Sequence, residues 1–337
     1  MKRKLDVLCV FDLIEPPSGP DLVEELKTYD WKTERHVLRA LEKLGHRPSI
    51  IGILDDVTPL VERIRSSPPD IVFNLTEHFG GDRSLDKSIA ALLDLLGVPY
   101  TGAGPLGLAL ARDKALSKKI LTYHHIRTPA FTEFKRGKRI KVPKHVPYPV
   151  IVKPVGEDAS EGIARASLVH RDKDLVERVR FVHESVERNA IAEQYIEGRE
   201  IFCSILGNDR LRVLPLRTMW YGTKPGRPKF LTYRLKWDMD YQQRWGLEFG
   251  FAVEFSDEVY ERIGQVSKRT YRALVLRDYG RIDLRVTEDN KIYVIEANPN
   301  PFLARREDFA DSALEDGIEY EAMIDRILSL ALKRSAE

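Results

Sequence analysis

The sequence predicts an α/β protein in which an N-terminal parallel sheet is followed by an α+β region of similar size or larger. Three observations carry that expectation. Apolar strand-like runs at 5–13, 48–54 and 70–76 alternate with helical patterns at about 31–45, 57–66 and 84–97, the β-α-β rhythm of a parallel sheet. A Gly/Pro-rich break, Val98-Pro99-Tyr100-Thr101-Gly102-Ala103-Gly104-Pro105, ends that rhythm. Beyond it the regular alternation stops, and strands cluster toward the C-terminal end.

Each element follows from its own pattern. In the first helix Val37, Leu38, Leu41 and Leu44 form an apolar stripe at helical spacing. After the break a helix carries Arg112 to Lys119. Strands are expected at 148–154 and 190–196, with a charged helix at 172–187 between them, then at 199–207 and 211–218. Residues 221–246 mix Gly, Pro, Lys and aromatics without a period and read as a mobile loop. An amphipathic helix at about 256–277 leads into two last strands. Boundaries are expected near 104 and 190, giving units of 1–104, 105–190 and 191–337.

Composition narrows the class. The chain has 337 residues, 43% hydrophobic and 31% charged, enough for two or three cores. Its 54 basic and 52 acidic residues leave a net charge of +2, so no field gathers nucleic acid or an anionic membrane. Small-molecule partners are expected. The two cysteines, Cys9 and Cys203, sit in apolar runs and offer neither a disulfide framework nor a thiolate metal site. The N-terminus lacks a signal-peptide pattern and no segment reaches the ~20 apolar residues of a membrane span, so a cytoplasmic protein is expected.

The most informative stretch is Arg281-Ile282-Asp283-Leu284-Arg285 followed by Lys291-Ile292-Tyr293-Val294-Ile295-Glu296-Ala297-Asn298. Alternate residues of a strand share a face, so Asp283 sits with Arg281 and Glu296 with Asn298. Two carboxylates and an amide offer oxygen ligands to a hard cation such as Mg²⁺, whose shell is completed by water and phosphates. That implies a nucleotide site. Read as polar strand ends, the same residues would simply be solvated or paired.

Three further constellations bear on chemistry. Lys153 ends the apolar strand Tyr148-Pro149-Val150-Ile151-Val152 and precedes a turn of small residues, 155–163, where an ammonium and backbone N–H groups can meet phosphate oxygens. The P-loop pattern is absent. Glu193-Gln194-Tyr195-Ile196, followed by Glu200, could read an adenine ring with strand-edge backbone and a ribose with a carboxylate. Lys236 and Trp237 lie in the irregular segment, where they could close on a nucleotide, and Lys114 is another possible phosphate ligand. Each also has a plain reading as a solvated surface residue.

In their order along the chain these segments resemble the ATP-grasp superfamily, and within it the D-alanine–D-alanine ligase family. The likeness runs from 71–77 through Pro99-Tyr100-Thr101-Gly102, Asp113-Lys114, Val152-Lys153-Pro154 and 193–200 to Arg281-Ile282-Asp283 and Glu296-Ala297-Asn298. It implies a pre-ATP-grasp N-terminal domain and a two-subdomain α+β ATP-grasp fold. It also implies ATP and two Mg²⁺ ions, or Mn²⁺, with Lys114 and Lys153 on phosphates and Ser160 in the turn that covers them. Glu193, Gln194, Tyr195 and Ile196 would hold adenine, Glu200 the ribose, and Lys236 the closing loop. Asp283, Glu296 and Asn298 would hold metal, and Arg281 would meet the oxyanion of a tetrahedral intermediate. The implied reaction is ATP-dependent ligation of a carboxylate to an amine through an acyl phosphate. A homodimer is implied by the family alone.

The departures concentrate on amino-acid recognition. The family's Gly-Ser-Ser-x-Gly turn reads Asp158-Ala159-Ser160-Glu161-Gly162, and its Lys-Tyr pair reads Lys236-Trp237. Glu307 falls near the position of a substrate-holding Ser. Glu34 is the candidate for the Glu that grips the first D-alanine's ammonium. Arg305 and Arg306 are candidates for a substrate carboxylate. The expectation is a retained reaction on a changed substrate pair; an authentic D-alanine–D-alanine ligase and a non-ligating ATP-binding module are the alternatives.

Overall fold

The computed structural model describes residues 3–17, 19, 22, 25–28, 31–156, 164–222, 230–252 and 254–336. The N-terminal part contains β1 (Asp6–Asp12), α1 (Lys32–Lys43), β2 (Arg47–Ile53), α2 (Thr58–Ser66), β3 (Ile71–Asn74) and α3 (Asp86–Leu96). Its three strands pair in parallel in the order β2-β1-β3, as the alternating pattern predicts. Leu8 and Val10 turn one face of β1 to α2 and α3, while Val7 and Cys9 turn the other to α1.

Asp113 breaks the helix expected around residues 112–119 in two. It ends α4 (Pro105–Arg112) and its carboxylate caps α5 (Lys114–Tyr123), accepting from Ala115 N at 3.0 Å and Leu116 N at 2.9 Å. Next come β4 (Phe131–Phe134), β5 (Val150–Pro154), β6 (Leu168–Val169), α6 (Asp172–Phe181) and β7 (Ala190–Gln194), whose strands form an antiparallel sheet in the order β4-β7-β5-β6. The helix expected over 172–187 ends early, in a π-helical turn over Val182–Val186 closed by Glu187 at φ 59°.

The third sheet is larger. It is built from β8 (Arg199–Leu206), β9 (Arg212–Val213), β10 (Arg217–Trp220), β11 (Glu248–Phe251), β12 (Tyr279–Val286) and β13 (Ile292–Asn298). Its order is β11-β10-β8-β12-β13, antiparallel, with β9 on β8. The single strand expected at 211–218 is thus two short ones. The segment expected as a loop carries α7 (Tyr233–Trp237) and α8 (Met239–Trp245), each capped by an oxygen side chain, Thr232 and Asp238; residues 223–229 lie outside the described ones. Gly198 joins β7 to β8 where only glycine fits: its φ is 153°, and a Cβ would stand 2.3 Å from the Val286 carbonyl oxygen.

The long helix α9 (Asp257–Ala273) backs this sheet, and α10 (Asp308–Glu315) and α11 (Tyr320–Ala336) close the chain. Met323, Ile324, Ile327 and Leu328 of α11 pack with Val7, Cys9, Val37 and Leu41, so the last helix completes the core of the first sheet. Both cysteines are buried. Among the described residues no helix is long and apolar enough to cross a membrane.

Asp278 ties the parts together. Fully buried, it accepts from Gly102 N at 2.9 Å, Asn208 Nδ2 at 3.0 Å and Arg334 Nη2 at 3.0 Å, joining the segment between α3 and α4, the β8–β9 turn and α11. Removing one member of a buried charged pair leaves the others unsatisfied. Asp278→Ala is therefore expected to lower stability by about 3 kcal/mol, read as a reduced denaturant midpoint; an unchanged midpoint would dismiss the tie.

Candidate active site

A cavity of about 780 Å³ opens where the three sheets meet. The third sheet supplies its floor. In the β12–β13 ladder Arg281 stands opposite Asn298 and Asp283 opposite Glu296, so the period-two expectation is met and the two pairs adjoin on one face. The ladder shifts register just after Asp283. Arg281 grips Asp283 with two bonds, Nε to Oδ1 at 2.7 Å and Nη2 to Oδ2 at 2.9 Å, and Asn298 Nδ2 donates to Asp283 Oδ2 at 3.1 Å. Burial pushes the Asp283 carboxyl up to about 6 although Arg281 pulls it down; Glu296 across the ladder adds to the rise.

The wall facing that floor belongs to the second sheet and α5. Lys153 Nζ lies 3.1 Å from Glu193 Oε2, Lys118 Nζ lies 3.5 Å from Glu193 Oε1, and Lys114 Nζ lies 3.6 Å from Glu296 Oε2. Lys114, Lys118 and Lys153 are all buried, which rules out the solvated reading. Lys118 had no distinguishing mark in the sequence; a second lysine one helical turn after Lys114 is an ordinary pattern.

β7 runs between β4 and β5 and is no sheet edge. The N–H groups of Gln194 and Tyr195 are already given to the carbonyls of Ala130 and Pro149, both at 2.8 Å. Ile196 follows beyond the ladder and lines the cleft with Gln194 and Tyr195. Glu200 also faces the cleft, with Oε2 held by Arg285 Nη2 at 2.6 Å. Arg285 in turn lies under the Tyr195 ring, 5.4 Å from its centroid. Lys236 lines the cleft from α7, its ammonium 5.3 Å from the Trp237 ring centroid. Ser160 lies outside the described residues.

The first sheet contributes an acidic end. Asp12 Oδ2 lies 2.6 Å from His78 Nε2, and this contact raises the imidazole's pKa. Glu34 in the first turn of α1 is buried, with Oε2 lacking a hydrogen-bond partner. Burial pushes its carboxyl up to about 8, and neighbouring Glu77 and Asp12 add to the rise. The sequence hinted at Glu34 but gave no sign of the Asp12–His78 contact. The two arginines after Pro301 part company. Arg306 lines the cleft; Arg305 bonds Glu321 at 2.6 Å and stacks on Tyr320.

Among the described residues no three His, Cys, Asp or Glu side chains cluster as metal ligands. The candidate set is two carboxylates and an amide, whose hard oxygen donors suit Mg²⁺ in a shell shared with phosphate.

The family described as D-ala D-ala ligase C-terminus matches residues 114–329. The chain belongs to the D-alanine–D-alanine ligase family. As a member it is an ATP-grasp ligase that forms C–N bonds. The D-alanine–D-alanine ligase of Desulfotalea psychrophila is 31% identical over 273 residues, 79% of each chain. The uncharacterized protein y4sG of Sinorhizobium fredii is 30% identical over 305 residues, 88% of this chain and 87% of its own. In fold the chain is similar to the D-alanine–D-alanine ligase from Bacillus anthracis complexed with ATP, at a TM-score of 0.77 and 21% identity, covering 98% of this chain and 99% of that one. The family match thus spans the second wall and the floor of the cleft, while the acidic end contributed by the first sheet lies before it.

Proposed function

We propose that this ligase couples ATP cleavage to joining a carboxylate, of an amino acid or peptide, to an amine, releasing ADP and phosphate. The carrying observation is the floor set, Arg281, Asp283, Glu296 and Asn298, facing buried lysines across one cleft. In this reading a carboxylate oxygen attacks the γ-phosphorus of ATP and ADP departs. The amine nitrogen then attacks the acyl carbon, loses its proton, and phosphate leaves.

The protein's part is position and charge. Lys114 and Lys153 steady the phosphates; Glu193, Gln194, Tyr195 and Ile196 flank adenine, and Glu200 takes a ribose hydroxyl. Lys236 covers the phosphates, a role that Ser160 shares by the family likeness of its turn. Asp283, Glu296 and Asn298 would hold two Mg²⁺ ions, which offset phosphate charge when bound. Arg281 donates to the oxyanion of the tetrahedral intermediate, charge that develops late in the reaction. Glu34, buried with one oxygen unpartnered, takes a substrate ammonium.

The substrate pair differs from two D-alanines. Glu307 falls near the position of the family's substrate-holding Ser and lines the cleft with Asp308, which lies 3.4 Å from both Arg217 and Arg281. The test is phosphate release from Mg-ATP over a panel of D- and L-amino acids and dipeptides, singly and paired, with mass spectrometry of products. Release that needs a pair and yields a product of their summed mass less water is expected. ADP release with a phosphorylated product and no dependence on an amine would overturn ligation.

A further inference from the structure

Arg306 lines the cleft on a strained piece of backbone. Its turn runs from Ala304 to Glu307 and is closed by Glu307 N, which donates to the Ala304 carbonyl at 3.2 Å. Arg306 takes the third position with φ 66°, where a turn favours glycine or asparagine. Among the described residues it is the single non-glycine with positive φ that lines the cleft. Holding a long side chain there costs free energy, and such outliers cluster where the side chain has a task.

Its charge is also unmatched. The other arginines of the cleft, Arg83, Arg217, Arg281 and Arg285, each have a carboxylate oxygen within 3.4 Å. Arg306 has no ion pair, hydrogen bond or ring contact among the described residues. The acids beside it are already held, Glu307 by Lys32 at 3.1 Å and Asp308 by Arg217 and Arg281 at 3.4 Å each. The lysine wall reaches the floor at Glu296, through Lys114, whereas the start of α10 reaches it at Arg281, through Asp308. Arg306 therefore stands away from the phosphate lysines, two residues from the aspartate that contacts Arg281. It is exposed where Arg281 is half-buried, so an anion it meets lies at the mouth of the cleft and not at the reacting atoms.

We infer that Arg306 is a specificity-determining residue that takes a carboxylate remote from the reacting nitrogen of the amine substrate, on an acidic side chain or at the end of a peptide. The inference rests on reading the protein as a carboxylate–amine ligase. A planar guanidinium pairs with a carboxylate through two parallel N–H···O bonds. A carboxamide in the same place carries no charge and has one acceptor oxygen. Arg306 therefore separates an acid from its amide.

The experiment measures kcat/KM for ligation by the full-length protein, with Mg-ATP and the amino acids and dipeptides of the panel as carboxylates. The amines are glutamate against glutamine, and dialanine against its carboxamide, in both configurations. The wild type is expected to favour the acid of at least one pair by about tenfold or more, chiefly through KM. Preference in the first pair names an acidic side chain, and in the second a peptide end. Arg306→Gly and Arg306→Asn should each remove most of that preference, Arg306→Lys should keep part of it, and none should move the affinity for ATP. Glycine and asparagine suit the turn, so both variants should melt no lower than the wild type. An acid preference unchanged in these two variants would overturn the inference, as would equal losses for acid and amide, which would leave Arg306 a part of the turn only. A wild type that joins amines without favouring either acid overturns this inference alone. One that binds ATP and ligates no amine removes the ligase reading with it.

Discussion

Asp283→Ala is expected to cut turnover by roughly a thousandfold or more, beyond the 10- to 100-fold typical of losing a group that only orients a metal ligand. Asp283 and Glu296 face each other across one ladder step, so the site loses one of two opposed charges at its centre. The loss also frees Arg281, which now gives two hydrogen bonds to that carboxylate. Folding should survive. The ladder stays intact, but Arg281 is left buried without its two-bond partner, so a lowered melting temperature with a retained cooperative transition is expected. Glu296→Ala should behave alike, with Lys114 losing the acid 3.6 Å away. Steady-state phosphate release together with a thermal melt tests both; near-normal turnover in the two variants would take the chemistry away from this floor.

Arg281→Met is expected to separate the two halves of the reaction. An oxyanion donor acts on charge that appears only when the amine has attacked, and losing one costs roughly 10²- to 10³-fold in that step. Single-turnover ADP formation should fall much less than formation of the joined product. Arg281 packs over the Phe202 ring at 5.1 Å and lies 3.4 Å from Asp308, so methionine keeps the contact with the floor while removing the donors. Equal losses in both steps would recast Arg281 as a support for Asp283 alone.

The candidate site was legible in the sequence where strand geometry is local. Period two alone puts Arg281 with Asp283 and Glu296 with Asn298, and the ladder then sets the pairs side by side. The parallel first sheet was likewise readable, since alternating strands and helices leave few other arrangements. Reading 190–196 as an edge failed because edge or centre depends on which strands pair with it; β4, short and distant in sequence, covers the side that would have been open. The segment 221–246 looked irregular because α7 and α8 within it are too short to show an apolar period and depend on caps.

By itself, then, the sequence determined the parallel class of the first sheet, the face shared by the floor residues, and the family to which the chain belongs, because backbone periodicity and short motifs are local properties. Tertiary structure alone decided that Lys118 bridges Glu193 and the Ile295 carbonyl, that Asp12 meets His78, and that α11 returns to cover the first sheet. Such contacts join residues far apart in the chain, and they are selected by the burial of whole faces and the need to pair buried charges, which no local pattern encodes.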